Sequence, residues 1–259
     1  NVDSYLWYGG GLKKDYSKAT PLQKKTSLRF NNLLEIIAQE KPKMRIRFST
    51  SNPQDMSDEV IEVISKYPNI CRHIHLPVQS GSNKILKKMN RLHTREEYLV
   101  LINKIKTKIP DCSISHDIIA GFPSEDDKDH LDTLNLMESV KYEYGYMFKY
   151  SERPGTMAQK KFTDNVPLEI KNLRLKEIIL KQNKHSLFRN QQFLNKIVCV
   201  LIEKESKKSD EYWSGRTTQN TVVVFPKQNF SPGDFVDVRI ENCTSATLIG
   251  NGLRISKDI

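Results

Sequence analysis

The residues of this sequence best equipped for chemistry fall into four short runs. These are Ser51-Asn52-Pro53, Gln79-Ser80-Gly81-Ser82, Gly121-Phe122-Pro123-Ser124-Glu125, and Ser151 to Thr156. Gln79, Ser80 and Ser82 can hydrogen-bond a ribose or a carboxylate. Gly81 and Gly121 carry no Cβ and let the backbone approach a ligand closely. Arg153, inside the last run, can clamp a carboxylate or phosphate through two parallel N–H donors. Asp117 lies in the otherwise apolar run CSISHDIIA, where an unpaired carboxylate is costly. It is expected to face an interior and accept a hydrogen bond, with a salt bridge to a structural partner as the alternative. Behind the second run stand Lys84, Lys87, Lys88 and Arg91, which suit either an anionic partner or plain solvent.

Other chemistries find no footing. There is no G-x-S-x-G, no phosphate-binding P-loop and no H-E-x-x-H. His73, His75, His93 and His116 do not share a metal-ligand spacing, and His75 points to one face of its strand. Cys71, Cys112, Cys199 and Cys243 lie in no C-x-x-C or C-x-x-x-C-x-x-C pattern. They read as buried, reduced thiols, and local spacing predicts no metal site.

The elements that must position these runs alternate in type. Leu22, Thr26, Phe30, Leu33, Leu34 and Ile37 follow a helical period that Pro42 stops. MRIRFST (44–50) reads as a strand, 58–67 as a helix and HIHLPV (73–78) as a strand running into a basic helix. Thr94 to Glu97 forms a capping box opening a helix with Tyr98, Leu101, Ile102 and Ile105 on one face. CSISHDIIA (112–120) is a strand, and Ser124 or Glu125 opens a helix carrying Leu131, Leu134, Met137 and Val140. YGYMFKYS (144–151) is a strand, and 167–192 is a long basic helix bridging out of the first domain. Strict alternation predicts parallel βα units, in an open sheet or a barrel. In such folds ligands bind at the carboxyl ends of the strands, where all four polar runs fall. Each alone could be an ordinary turn; four on one face make a cleft.

After residue 193 no helical period survives. KIVCVLIEKES, SGRTTQNTVVVFPK and DFVDVRIENCTSATLIGNGL are β-rich runs broken by polar and glycine residues, as in small nucleic-acid-binding barrels. Lys204, Lys207, Lys208, Trp213 and Arg216 group basic and aromatic side chains there. The expected division is 1–192 and 193–259.

The net charge of +10 suits a nucleic-acid partner. Most of the excess precedes residue 190, however, and the tail is near neutral. No apolar run reaches the roughly 18 residues of a membrane span, and residues 1–20 show no apolar signal core. Cytoplasmic residence is the expectation.

RIRFSTSNP, HLPVQSGSNKILKKMNR, HTREEY, SHDIIAGFPSE and YSERPGT, in this order, resemble the successive motifs of the radical S-adenosylmethionine methylthiotransferases. The tail resembles the TRAM domain of that family, a small RNA-binding β-barrel. NVDSY resembles the branch acting on isopentenylated adenosine in tRNA. The fold implied is a partial (β/α) radical SAM barrel followed by an all-β TRAM barrel.

The resemblance implies methylthiolation of N6-isopentenyladenosine beside the tRNA anticodon. The implied cofactors are S-adenosylmethionine and two [4Fe-4S] clusters, and the implied partners are tRNA and a reductant such as flavodoxin or ferredoxin. The C-x-x-x-C-x-x-C and the amino-terminal cluster domain of the family are missing here. The chain is therefore expected to be a fragment, inactive by itself and holding neither cluster. By position, Gln79, Ser80, Gly81, Ser82, Gly121, Phe122 and Pro123 would contact S-adenosylmethionine. Asp117 and Arg153 would line the same cleft as its catalytic pair. Tyr150 or Phe148 would pack on a ring, with core packing the alternative for Phe148. Lys84, Lys87, Lys88 and Arg91 would meet tRNA phosphates, as would Lys204, Lys207, Lys208 and Arg216 on the tail. The rivals are a sister enzyme modifying threonylcarbamoyladenosine or a ribosomal protein, and a non-catalytic RNA-binding protein.

Overall fold

The computed structural model describes residues 4–10, 13–49 and 52–257. Asn1 to Asp3 of NVDSY, Thr50 of the expected strand and Ser51 of the first polar run lie outside the described residues.

Three parallel strands form the central sheet: β3 (His73–His75), β4 (Ser113–Ala120) and β5 (Tyr144–Lys149), in that spatial order. Two further strands, β1 (Leu6–Trp7) and β2 (Leu28–Arg29), pair antiparallel near the amino terminus. The helices are α1 (Pro21–Lys25), α2 (Phe30–Glu40), α3 (Asp58–Lys66), α4 (Asn83–Lys88), α5 (Arg95–Lys108), α6 (Asp127–Val140), α7 (Met157–Lys161) and α8 (Leu168–Gln191). Ile74, Leu76, Val78, Ile114, Ile118 and Ala120 alternate onto one face of the sheet and are fully buried with Val60, Ile64, Tyr98, Ile102, Ile105 and Met137 of the helices. The other face carries His73, His75, Ser115, Asp117, Tyr144, Tyr146 and Phe148, by the two-residue period of the strands.

Several expected boundaries move for physical reasons. Residues 44–49 make a single bridge, Ile46 to Ile70, rather than a strand. Their backbone is satisfied by Asn69 and Cys71 at 2.8 Å each, while Arg45 and Arg47 reach sideways. The period from Leu22 to Ile37 does not give one helix. It breaks at Thr26, where Leu28-Arg29 crosses to pair with Leu6-Trp7. HIHLPV is assigned as a strand only to His75, because Pro77 has no N–H for the ladder. Leu76 and Gln79 nevertheless still donate to the Ser115 and Asp117 carbonyls at 2.8 Å.

The capping box of α5 forms as expected: Glu97 N–H donates to Thr94 Oγ1 at 3.2 Å and Thr94 N–H to Glu97 Oε2 at 2.7 Å. Helix α6 opens at Asp126 instead of Ser124 or Glu125, through a reciprocal pair with Asp129 at 3.0 Å on each side. Leu131 on that helix faces solvent. Helix α8 is more than a bridge. It lies along β5, β4 and α6 and buries a polar face of Lys171, Arg174, Gln182, His185, Ser186 and Asn190.

Beyond α8, five strands close a barrel: β6 (Ile197–Ser206), β7 (Ser209–Arg216), β8 (Val222–Pro226), β9 (Phe235–Cys243) and β10 (Leu248–Ile255). Its core is Val200, Ile202, Val223, Phe225, Val236, Val238, Ile240 and Leu248. SGRTTQNTVVVFPK is thus two strand segments joined by the turn Thr217–Thr221. That turn docks on the amino ends of the sheet strands, where Ser113 Oγ donates to the Gln219 carbonyl at 2.6 Å.

Candidate active site and nucleic-acid interface

The carboxyl ends of β3, β4 and β5 gather the expected residues unevenly. Gln79 sits at φ +74°, its N–H bonded to the Asp117 carbonyl at 2.8 Å and its carbonyl to Ile119 N–H at 3.0 Å. The three small residues after it turn toward α6. Ser80 Oγ lies 3.3 Å from Thr133 Oγ1, and the Gly81 N–H donates to the same hydroxyl at 2.9 Å. A Cβ at position 81 would come within 2.5 Å of the Asp132 carbonyl oxygen, so glycine here serves helix packing. Ser82 Oγ donates to Asp129 at 2.6 Å and caps α4 by accepting from Ile85 N–H. All four residues are buried, and together they fasten the strand end to α6.

The turn after β4 is also enclosed. Gly121 takes φ +73° and donates to Glu125 Oε1 at 3.0 Å, and a Cβ there would strike Lys171. Glu125 pairs with Arg174 at 3.2 Å, and Arg174 also reaches Asp127 at 2.8 Å. Burial pushes the Glu125 carboxyl up, while the Gly121 N–H and Arg174 pull it down. Phe122 packs edge-on against Tyr150 at 5.0 Å, and the Lys171 ammonium lies over the Tyr150 ring at 5.2 Å. Pro123 is buried beside them. The Tyr150 hydroxyl is buried and, among the described residues, has no hydrogen-bond partner. A ligand hydroxyl or amine at this strand end would satisfy it.

Asp117 faces the open side of the sheet, partly exposed, with its carboxylate 3.3 Å from His75 Nε2. The sequence offers an inward-facing acceptor or a salt bridge to a structural partner; the partner found is His75, on the same face of the sheet. Arg153 stands on the exposed segment after β5, its backbone carbonyl accepting from Thr156 N–H. Phe148 is exposed, which excludes the core-packing alternative.

The cations behind Gln79 divide. Lys84 is engaged at 2.7 Å with both Asp126 and Asp129, so its charge is balanced within the protein. Lys88 lies 5.6 Å from the Phe162 ring centre. Lys87 and Arg91 are exposed.

Below Asp117 the face is a continuous polar network. His75 Nδ1 and His73 Nε2 lie 2.8 and 3.0 Å from Ser115 Oγ, and Tyr144 Oη lies 2.9 Å from His73 Nε2. Burial, helped by the nearby charges of His75, Arg47 and Arg216, lowers the His73 pKa to about 3, so His73 is neutral. Neither this network nor the buried partners Thr133, Asp129, Lys171 and Arg174 was singled out from sequence. The repeated tyrosines of YGYMFKY were the available signal.

On the second barrel, Lys204, Lys207, Lys208 and Arg216 line one groove of about 640 Å³ together with Tyr212. Arg216 is also 3.3 Å from Glu203. This is the grouping expected from sequence, although Trp213 lies instead under the Lys227 ammonium at 4.4 Å. Cys71 and Cys112 are buried, whereas Cys199 and Cys243 are half-buried. Among the described residues no three of His, Cys, Asp and Glu gather as a metal site, and no helix is long and apolar enough to cross a membrane.

Comparison with known proteins places a Radical SAM superfamily match on residues 20–137 and a TRAM domain match on residues 191–252. The chain is 62% identical over 256 residues to a protein of Christiangramia forsetii named tRNA-2-methylthio-N(6)-dimethylallyladenosine synthase. Proteins of the same name from Flavobacterium johnsoniae and Karelsulcia muelleri are 60% and 57% identical. These alignments cover 99%, 99% and 97% of this chain and 53%, 53% and 55% of the relatives. The chain thus spans about half the length of the curated relatives it matches.

Proposed function

We propose that this chain, which carries a radical SAM domain joined to a TRAM domain, supplies the strand-end cleft and the RNA-binding barrel of a tRNA-2-methylthio-N6-dimethylallyladenosine synthase. The observation that carries the reading is the 62% identity over 256 residues, running through both domains, to a relative of that name. The substrate is N6-isopentenyladenosine beside the anticodon of tRNA.

The cofactors proposed are S-adenosylmethionine and two [4Fe-4S] clusters, with a one-electron carrier such as flavodoxin or ferredoxin as reductant and the cytoplasm as location. Together these groups supply hydrogen-abstracting radical chemistry, sulfur and a methyl group. The described residues do not fit a cluster: no metal-ligating group gathers among them, and no step is assigned to a cluster held here. They do fit S-adenosylmethionine at the strand ends, where the buried Tyr150 hydroxyl lacks a partner.

In this reading S-adenosylmethionine lies across the carboxyl ends of β3, β4 and β5, against Gln79 and Tyr150. Ser80, Gly81 and Ser82 and the turn Gly121-Phe122-Pro123 form the rigid wall behind it. Asp117 accepts a hydrogen bond from the bound base, and Arg153 closes over the anionic groups from the exposed segment after β5. The packed wall excludes water, which a radical reaction requires. Lys204, Lys207, Lys208 and Arg216 take tRNA phosphates, while Lys87, Lys88 and Arg91 extend the basic surface near the cleft. Lys84 instead balances Asp126 and Asp129.

Mass spectrometry of tRNA nucleosides from a deletion strain tests the reading. The expected result is loss of the methylthio group with N6-isopentenyladenosine left in its place. Intact methylthiolation there, with the loss found on threonylcarbamoyladenosine or on a ribosomal protein, would overturn it.

A further inference from the structure

The open face of the sheet ends in two aromatic rings that the groups above do not use. Tyr146 and Phe148 alternate on β5 and stand opposite Asp117 and Ile119 of β4. They are 56% and 52% exposed. Two large rings side by side in solvent mark a surface built to be covered. The Tyr146 ring is not adrift. It is held edge-on by His75 at 5.8 Å and by Tyr144 at 6.1 Å. A supported ring with solvent on its other side, next to a carboxylate acceptor, suits a flat heterocycle that carries an N–H donor.

A second observation says where such a heterocycle comes from. A cavity of about 550 Å³ is lined by Tyr144 and Tyr146 of β5 beside Glu143, by Asn183 and Asn190 of α8, and by Arg216 and Asn220 of the second barrel. Arg216 and Val222 also line the groove that holds Lys204, Lys207 and Lys208, so the two cavities share a wall. Between them the two cavities present cations, side-chain amides and aromatic rings. That combination suits a single nucleic-acid strand, whose phosphates seek cations and whose unpaired bases stack on rings.

We propose that Tyr146 and Phe148 form a stacking platform for an unpaired purine of RNA, with the strand leading over Arg216 to Lys207 and Lys208. The proposal rests on the reading that this chain works on RNA, and it names the surface that presents the base to Asp117.

The test uses the full-length protein and two probes: a fluorescein-labelled RNA hairpin with an adenosine-rich loop, followed by anisotropy, and S-adenosylhomocysteine, followed by calorimetry. Tyr146→Ala and Phe148→Ala should each weaken RNA binding by about five-fold or more, from the 1–3 kcal/mol typical of one stacked base. They should leave S-adenosylhomocysteine binding and the slope of log K against log salt unchanged. Tyr146→Phe should bind as wild type, because stacking needs the ring and not the hydroxyl. Lys207→Ala with Lys208→Ala should instead flatten the salt slope, by about 0.7 for each phosphate no longer neutralised. Alanine variants that bind RNA as wild type does would overturn the platform while leaving RNA binding in place. Loss of S-adenosylhomocysteine binding alone would assign the rings to the adenosyl group and overturn it too. A wild-type protein that does not bind the hairpin would remove both the platform and the reading beneath it.

Discussion

Asn220 and Tyr144 join the two folded units: the Asn220 side-chain amide donates to the Tyr144 hydroxyl at 3.0 Å, across 76 residues of sequence. From Tyr144 the bonds continue through His73, Ser115 and His75 to Asp117 at the strand ends. The turn of the second barrel is thereby tied to the carboxylate of the cleft. Tyr144→Phe should cost about 1–3 kcal/mol, because it strips a partner from a buried histidine and from an amide. Combined with Asn220→Ala, it should show a coupling of at least about 0.5 kcal/mol in a double-mutant cycle measured by urea unfolding. Strict additivity would mean that this hydrogen bond carries nothing.

Two buried histidines set a pH dependence: His73 in this network, and His116 on the opposite face of β4 against Gln182 of α8. Burial lowers the His73 pKa to about 3, and burial, partly offset by the Gln182 hydrogen bond, lowers that of His116 to about 4. Both folded values lie below the unfolded value near 6.5, so the unfolded chain binds more protons as the pH falls. The stabilising effect of keeping each ring neutral is complete above about pH 6.5 and is lost at up to about 1.4 kcal/mol per pH unit below it. Thermal midpoints should fall steadily from pH 7 to pH 5, and His116→Gln should make that fall shallower. An equally steep fall in the variant would locate the sensitivity elsewhere.

Arg174 and Glu125 form a buried pair under the turn after β4. Arg174→Leu should destabilise by about 3–5 kcal/mol, since it leaves a carboxylate buried without its cation. Adding Glu125→Leu should recover a large part of that loss in the same melting assay. A single variant within about 1 kcal/mol of wild type would show that Glu125 is held by the Gly121 N–H alone.

Arg153 is exposed, so its removal should not disturb packing. Arg153→Ala should leave stability within about 0.5 kcal/mol of wild type, as surface substitutions do. Turnover of the full-length enzyme should fall by an order of magnitude or more. Equal loss of both would make Arg153 a structural residue.

Much of this was legible in the sequence because the signals are local. The alternation of Ile114, Ile118 and Ala120 and the Thr94–Glu97 box each fix an element without outside help. What the sequence concealed depends on partners far along the chain. Residues 44–49 carry strand residues, but Arg45 and Arg47 are drawn to Arg216 and Glu203 of the second barrel. Lys84 looks like a surface cation until α6 brings Asp126 and Asp129 beside it. Ser80 and Ser82 look like ligand-binding hydroxyls, and Thr133 and Asp129 take them. Tyr146 and Phe148 sit in a run that reads as a strand, and only the packing of the helices against the opposite face of the sheet shows that theirs is open.

The central claim is that Asp117, on that open face, orients the isopentenylated adenosine for methylthiolation. The most direct measurement is nucleoside mass spectrometry of tRNA from a deletion strain carrying the full-length gene, either wild type or Asp117→Ala, at matched protein levels. The wild-type gene should restore the methylthio group, and Asp117→Ala should leave N6-isopentenyladenosine accumulated. Full methylthiolation by Asp117→Ala would contradict the account.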